Sequence, residues 1–135
     1  MDFAAVATAL AGLADNVTGL NGYDYAPGKP VSPAVVVTFL GAEYRDTQAD
    51  YTECTARFRV TVVGRAGDPR DGQMAMLGYL SPEGSTSVPA AIIASPTLGI
   101  SGISATPTTC DGIDELTNAD GSVNYIGAIE VEVVG

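Results

Sequence analysis

The sequence has no histidine and no tryptophan, a single lysine (Lys29) and only two cysteines. The missing histidine removes the commonest general base and the commonest transition-metal ligand. Two thiols without histidine make a poor zinc site, and Cys54 and Cys110 share no CxxC spacing. They read as small apolar residues buried on strands, left unpaired in a reducing compartment. Sixteen acidic residues face six basic ones, giving a net charge of −10. Affinity for duplex phosphate needs clustered Lys and Arg, so this balance argues against a duplex-binding surface. No run approaches the ~20 apolar residues that span a membrane. The opening residues MDFAAVATAL lack a basic leader and carry Asp2, which argues against a signal peptide. The expected setting is the cytosol, or a particle assembled there.

What is present is a chain of 135 residues, 46% apolar, with no dividing linker, internal repeat or low-complexity run. Residues 1–135 read as one domain with a real core. Phe3, Val6, Leu10, Leu13 and Val17 fall at helical spacing and predict a helix of about four turns, ended by Gly19 and Gly22. Residues 19–33 hold three glycines and three prolines and predict a long loop. Its tyrosines make it either a contact segment or an ordinary surface connection.

Residues 34–41 read as a strand apolar on both faces, which predicts cover on both sides. Residues 42–50 read as a charged, protruding hairpin loop. The clearest strand follows at 51–64. Cys54, Ala56, Phe58, Val60 and Val62 share one face, and Arg57 and Arg59 share the other. Asp68 then Pro69 mark the start of a helix running through Met74, Leu77 and Leu80. A second short helix is expected over 86–95, capped by Ser87, and a turn at 96–99. Residues 100–110 read as a weak strand, placed at a sheet edge by Pro107. Residues 111–122 read as an acidic loop, and 123–134 as a closing strand with Glu130 and Glu132 on one face. The fold class is therefore α+β: a mostly antiparallel sheet of about four strands, with an N-terminal helix and two short helices packed on it.

Candidate chemistry is sparse. The stretch GRAGDPRDGQMAML (64–77) has the glycines of a phosphate cradle. Gln73 follows Gly72 where a Walker loop needs Lys, and the dinucleotide spacing fails too. Two acidic groups at the helix start would repel phosphate, so the stretch reads as a strand–helix corner. Asp111, Asp114, Glu115 and Asp120 are the candidate paired carboxylates, but their spacing departs from a calcium loop. Arg57 and Arg59 can pair across strands with Glu130 and Glu132 if the two strands are neighbours. That ladder either faces a neighbouring subunit or lies on a solvated sheet face.

The order of elements narrows the choice. A helix, a Pro/Gly loop and a strand precede a charged hairpin and the run RFRVTVVGRAGDPRDGQ. Then come YLSPEGSTSV, PAAIIASPTLGI and the closing YIGAIEVEVV. This resembles the tail terminator proteins of long-tailed, non-contractile bacteriophages. The similarity covers most of the chain and is densest from Phe58 to Gly99. It implies a structural virion protein with no enzymatic activity and no cofactor. The subunits would form a ring of six at the head-proximal end of the tail, ending tube polymerisation and joining tail to head. The implied partners are copies of itself, the tail tube protein and a head–tail connector or stopper protein. Genomic DNA would pass through the lumen without specific binding, and no membrane is involved; the net charge of −10 is the separate ground for expecting acidic residues along that lumen. Assembly would take place in the host cytoplasm.

Since Arg is favoured and Lys depleted at interfaces, Arg57, Arg59, Arg65 and Arg70 are the expected contact residues, with Glu130 and Glu132. Two alternatives stand beside this reading. One is another ring-forming neck protein, such as a stopper. The other, of a different class, is a small acidic hydrolase or metal-binding domain using the carboxylates of 111–120.

Overall fold

The computed structural model describes residues 1–17, 19–48 and 51–135, and for 46–48 and 51–52 the backbone alone. Helix α1 (Phe3–Asp15) opens the chain. Asp2 is its N-cap, its carboxylate accepting from the Ala4 and Ala5 amides at 3.0 and 3.2 Å. Val6, Leu10 and Ala14 form the buried stripe; Val17 lies past the helix end but is also buried.

Four of the strands fall where the sequence predicts them, with longer or shorter ends: β2 (Ala34–Gln48), β3 (Tyr51–Val63), β4 (Ser104–Cys110) and β6 (Val123–Val134). Two more correct the expectation of about four. The expected 19–33 loop contains β1 (Asn21–Tyr23), which pairs parallel to β2, so the sheet is mixed. It lies so close to α1 that a Cβ on Gly22 would collide with the Ala11 carbonyl oxygen, which explains a glycine inside a strand. The expected acidic loop contains β5 (Asp114–Thr117), antiparallel to β6. The sheet order is β1-β2-β3-β6-β4, with β5 also on β6.

The hairpin is also longer than predicted. β2 continues through 42–48, the residues read as a charged loop, with register irregularities between Phe39 and Gly41 and between Arg45 and Thr47. Its turn, at 49–50, lies outside the described residues. At the other edge, Pro107 has no N–H to offer and the Ala105 N–H is taken by the Pro96 carbonyl at 2.6 Å. The outer side of β4 is thereby closed to further strands, as its proline suggested.

Helices α2 (Pro69–Leu80) and α3 (Val88–Ala94) complete the fold, capped by Asp68 and Ser87 as expected. All three helices pack on one face of the sheet. Val35, Val37, Phe58, Val60, Val62, Ile129, Val131 and Val133 of that face join Val6, Leu10, Met76, Val88 and Ile92 in one core. Phe3 stacks on Phe39, ring centroids 4.8 Å apart, and Phe39 leans on Phe58 at 5.4 Å. The other face of β2 carries Val36, Thr38 and Leu40, none of them buried, and no helix covers that face among the described residues. The predicted cover on both sides of 34–41 is thus present on one side within the subunit.

Candidate subunit-contact surfaces

The alternation of β3 and β6 places four of the six expected contact residues together. Arg59 lies opposite Glu130 and Arg57 opposite Glu132 in an antiparallel register, all on the uncovered face. The condition on which the ladder depended, that the two strands pair, is met. Arg59 Nη2 stands 3.9 Å from Glu130 Oε1, the one ion pair among the described residues. The Thr109 hydroxyl donates to Glu130 Oε2 at 3.0 Å from β4, extending the row to three strands. Both charged side chains remain partly exposed, so the pair contributes on the order of 0–1 kcal/mol to folding. Arg57 and Glu132 form no such contact. The Arg59 Nε is buried with no hydrogen-bond partner. The ladder thus adds little to folding, and its charges are spread in alternating sign over an open surface.

Arg65 and Arg70 sit elsewhere, exposed at the corner between β3 and α2. The corner has a specific architecture. The Asp68 carboxylate accepts from the Arg70 and Asp71 amides at 3.0 and 3.2 Å, so the helix's own cap occupies the donors a phosphate would need. A cleft of about 400 Å³ opens beside it, bordered by Arg65, Asp68, Asp71 and Tyr79. Asp68 and Asp71 border the cleft and the first amides of α2 are already capped, which argues against the cradle reading.

The 111–122 segment does not gather its acids. Asp114 and Glu115 are adjacent on β5 and so point to opposite faces. Asp120 is engaged locally, accepting from the Ser122 amide at 2.9 Å and the Ser122 hydroxyl at 2.6 Å. These bonds hold its carboxyl below the usual carboxylate range. Among the described residues no three His, Cys, Asp or Glu side chains converge on a point where a metal would sit.

The cysteines divide. Cys54 is buried on β3 as expected, but Cys110 is exposed at the end of β4, correcting the reading of both as core residues. Cys110 aligns with Ile129 and hence with Val60, six residues along β3 from Cys54. At about 3.3 Å per residue that is about 20 Å, far beyond disulfide reach. Burial, and then the Asp111 charge, push the Cys110 thiol pKa up.

Several exposed apolar residues were not singled out by the sequence. Met74 and Leu77 of α2 are 58% and 52% exposed, while Met76 takes the core position. Helical periodicity gives Met74, Leu77 and Leu80 one stripe, but the turn at Gly64–Asp68 sets which side of α2 meets the sheet. The signal available was Gly72, which packs on Tyr125 and shares a helix face with Met76. Tyr44 on the projecting hairpin is likewise exposed.

The sequence matches no protein-family model and no curated protein. Among the described residues no helix is long and apolar enough to cross a membrane.

Proposed function

We propose that this chain is a ring-forming structural protein of a phage tail, acting as the tail terminator at the head-proximal end. The observation that carries the proposal is the one-sided sheet. Helices cover one face, and the other presents the Arg57/Glu132 and Arg59/Glu130 rows to whatever lies outside. Alternating charges on an open sheet face give a contact its register and exclude wrong partners more than they add raw affinity. A head-to-tail ring needs two different surfaces on each subunit. The open sheet face and the apolar positions exposed on α2 and in the 19–33 loop supply distinct surfaces of that kind.

The resemblance in element order supplies the station on the particle. A ring at that place has to stop addition of tube subunits on one side and accept the connector on the other. The chemistry asked of it is complementarity, with no bond made or broken. The net charge of −10 suits a lumen through which DNA passes without adhering.

Negative-stain electron microscopy of the purified protein tests the reading. Annular particles of uniform diameter are the expected result. A monodisperse monomer at tens of micromolar, also in the presence of tube and connector proteins, would contradict it.

A further inference from the structure

Asn21 is the one asparagine of the chain followed by glycine; Asn16, Asn118 and Asn124 precede valine, alanine and tyrosine. An asparagine–glycine step is chemically labile in a free chain. With no Cβ on the glycine, its backbone nitrogen reaches the asparagine Cγ unhindered.

The fold holds both reacting groups, and holds them in different directions. The Asn21 Nδ2 donates to the Val31 carbonyl at 3.0 Å and to the Pro33 carbonyl at 3.2 Å. The Gly22 N–H donates to Asp15 Oδ1 at 3.1 Å. The side chain is thus fastened toward the start of β2 and the amide toward α1, so neither is free to turn on the other. The Asn21 N–H donates to the Pro33 carbonyl at 3.0 Å, and the parallel register aligns Asn21, Gly22 and Tyr23 with Ala34, Val35 and Val36. The same side chain ties down the 24–33 loop, because Val31 is held by Asn21 at its carbonyl and by the Tyr23 hydroxyl at its amide. Yet β1 is an edge strand of three residues, so few bonds stand between it and local opening.

We infer that Asn21–Gly22 is a latent deamidation site, guarded by the clasp of α1, β1 and β2, and that its reaction keeps the clasp from closing again. When β1 lifts, the Gly22 nitrogen attacks Asn21 Cγ. The N–Cγ bond forms, the Cγ–Nδ2 bond breaks, and ammonia leaves with the Gly22 amide proton. Water then opens the succinimide at either carbonyl, leaving an aspartyl or an isoaspartyl residue at position 21. Nothing is oxidised or reduced. The aspartyl product puts a carboxylate where two N–H donors stood, so acceptor faces acceptor at Val31 and Pro33. The isoaspartyl product adds a methylene to the main chain and breaks the register with β2. Either product frees the Val31 carbonyl and loosens the loop. The inference stands apart from the ring reading.

Peptide mapping by mass spectrometry tests it, after incubation at mildly alkaline pH of folded protein and of protein in concentrated urea. In urea Asn21 should be the first asparagine to convert. In the folded protein its conversion should be slower by on the order of tenfold or more, the factor by which closed β1 withholds the reacting groups. Asp15→Ala frees the Gly22 N–H. It also removes an acidic group from the last turn of α1, where it opposes the helix dipole, so the helix is kept. It should raise the folded rate several-fold and leave the rate in urea unchanged. Asn21→Asp supplies the aspartyl product directly. It should melt below the parent and be cut faster by chymotrypsin after Tyr23 or Tyr25. Parent protein aged in urea and refolded should be cut in the same way, and parent protein aged folded should not.

Equal conversion in the folded protein and in urea would show that the clasp guards nothing and would overturn the inference. Conversion led in urea by Asn16, Asn118 or Asn124 would take the site away from Asn21. An Asp15→Ala rate equal to the parent's would overturn the guarding contact with α1; if that variant does not fold, the ratio of folded to urea rates in the parent decides alone. Parent-like melting and cleavage in Asn21→Asp would show that the product leaves the clasp closed, and would overturn the one-way release.

Discussion

The Asn124 side-chain amide donates to the Gly64 carbonyl at 2.7 Å across 60 residues of sequence. The bond is buried, and it fastens the end of β3 to the start of β6 where the chain turns into α2. The Asn118 side-chain amide donates in turn to the Asn124 side-chain oxygen Oδ1 at 2.6 Å and to the Ser122 hydroxyl at 3.0 Å, so the β5–β6 turn is tied to the same point. This polar cluster fastens the corner that presents Arg65 and Arg70.

Replacing Asn124 with alanine should therefore destabilise the fold by about 1–3 kcal/mol, since the Gly64 carbonyl is left without its side-chain donor. Urea unfolding followed by circular dichroism measures it. A change near zero would show that the corner does not depend on the bond.

Asp120 gives a pH dependence. Hydrogen bonds from Ser122 lower its carboxyl pKa in the folded state. A lowered folded pKa means stability that is present above the unfolded value and lost as pH falls through the folded one. Asp120→Asn should flatten the acid limb of the stability profile, with no difference between the proteins in the shape of the curve near neutral pH. Urea midpoints measured from pH 7 down to strong acid check it, and an identical acid limb in both proteins would remove Asp120 as a contributor.

The Arg57–Glu132 row separates folding from assembly. Arg57 is exposed and makes no ion pair, so Arg57→Glu should change stability by less than about 1 kcal/mol. On the proposed interface it should nonetheless impair ring formation, because a like-charge pair then faces the neighbour. The exchange Arg57→Glu with Glu132→Arg keeps the net charge and restores the cross-strand pairing. Sedimentation of the three proteins is the measurement. Unchanged assembly in Arg57→Glu would take this face out of the contact.

Much of this was legible in the sequence where one face of an element is buried. The alternation through Cys54–Val62 and Ile129–Val133 fixed both strands and their register face, and Asp68–Pro69 and Ser87–Pro89 fixed two helix starts. Elements that bury little left no such pattern. Asp114–Thr117 is exposed at all four positions and is a strand only because β6 offers it a partner. The charged 42–45 run continues β2 because the hairpin projects past the helix layer, where water tolerates either face. Asn21–Tyr23 is three residues long and owes its place to α1 and β2. Of the expected contact residues, the Arg/Glu rows followed from strand parity once pairing was assumed. The exposure of Met74 and Leu77 could not be read in the same way, because which side of α2 is covered depends on the tertiary fold.

The central claim is that these surfaces end a growing tube by forming a ring on it. The most direct measurement is the length distribution of tail tubes polymerised from purified tube protein with and without this chain, imaged by electron microscopy. The account predicts that saturating amounts stop elongation and leave an annular cap at one end of each tube. Tubes of unchanged length with bare ends would contradict it.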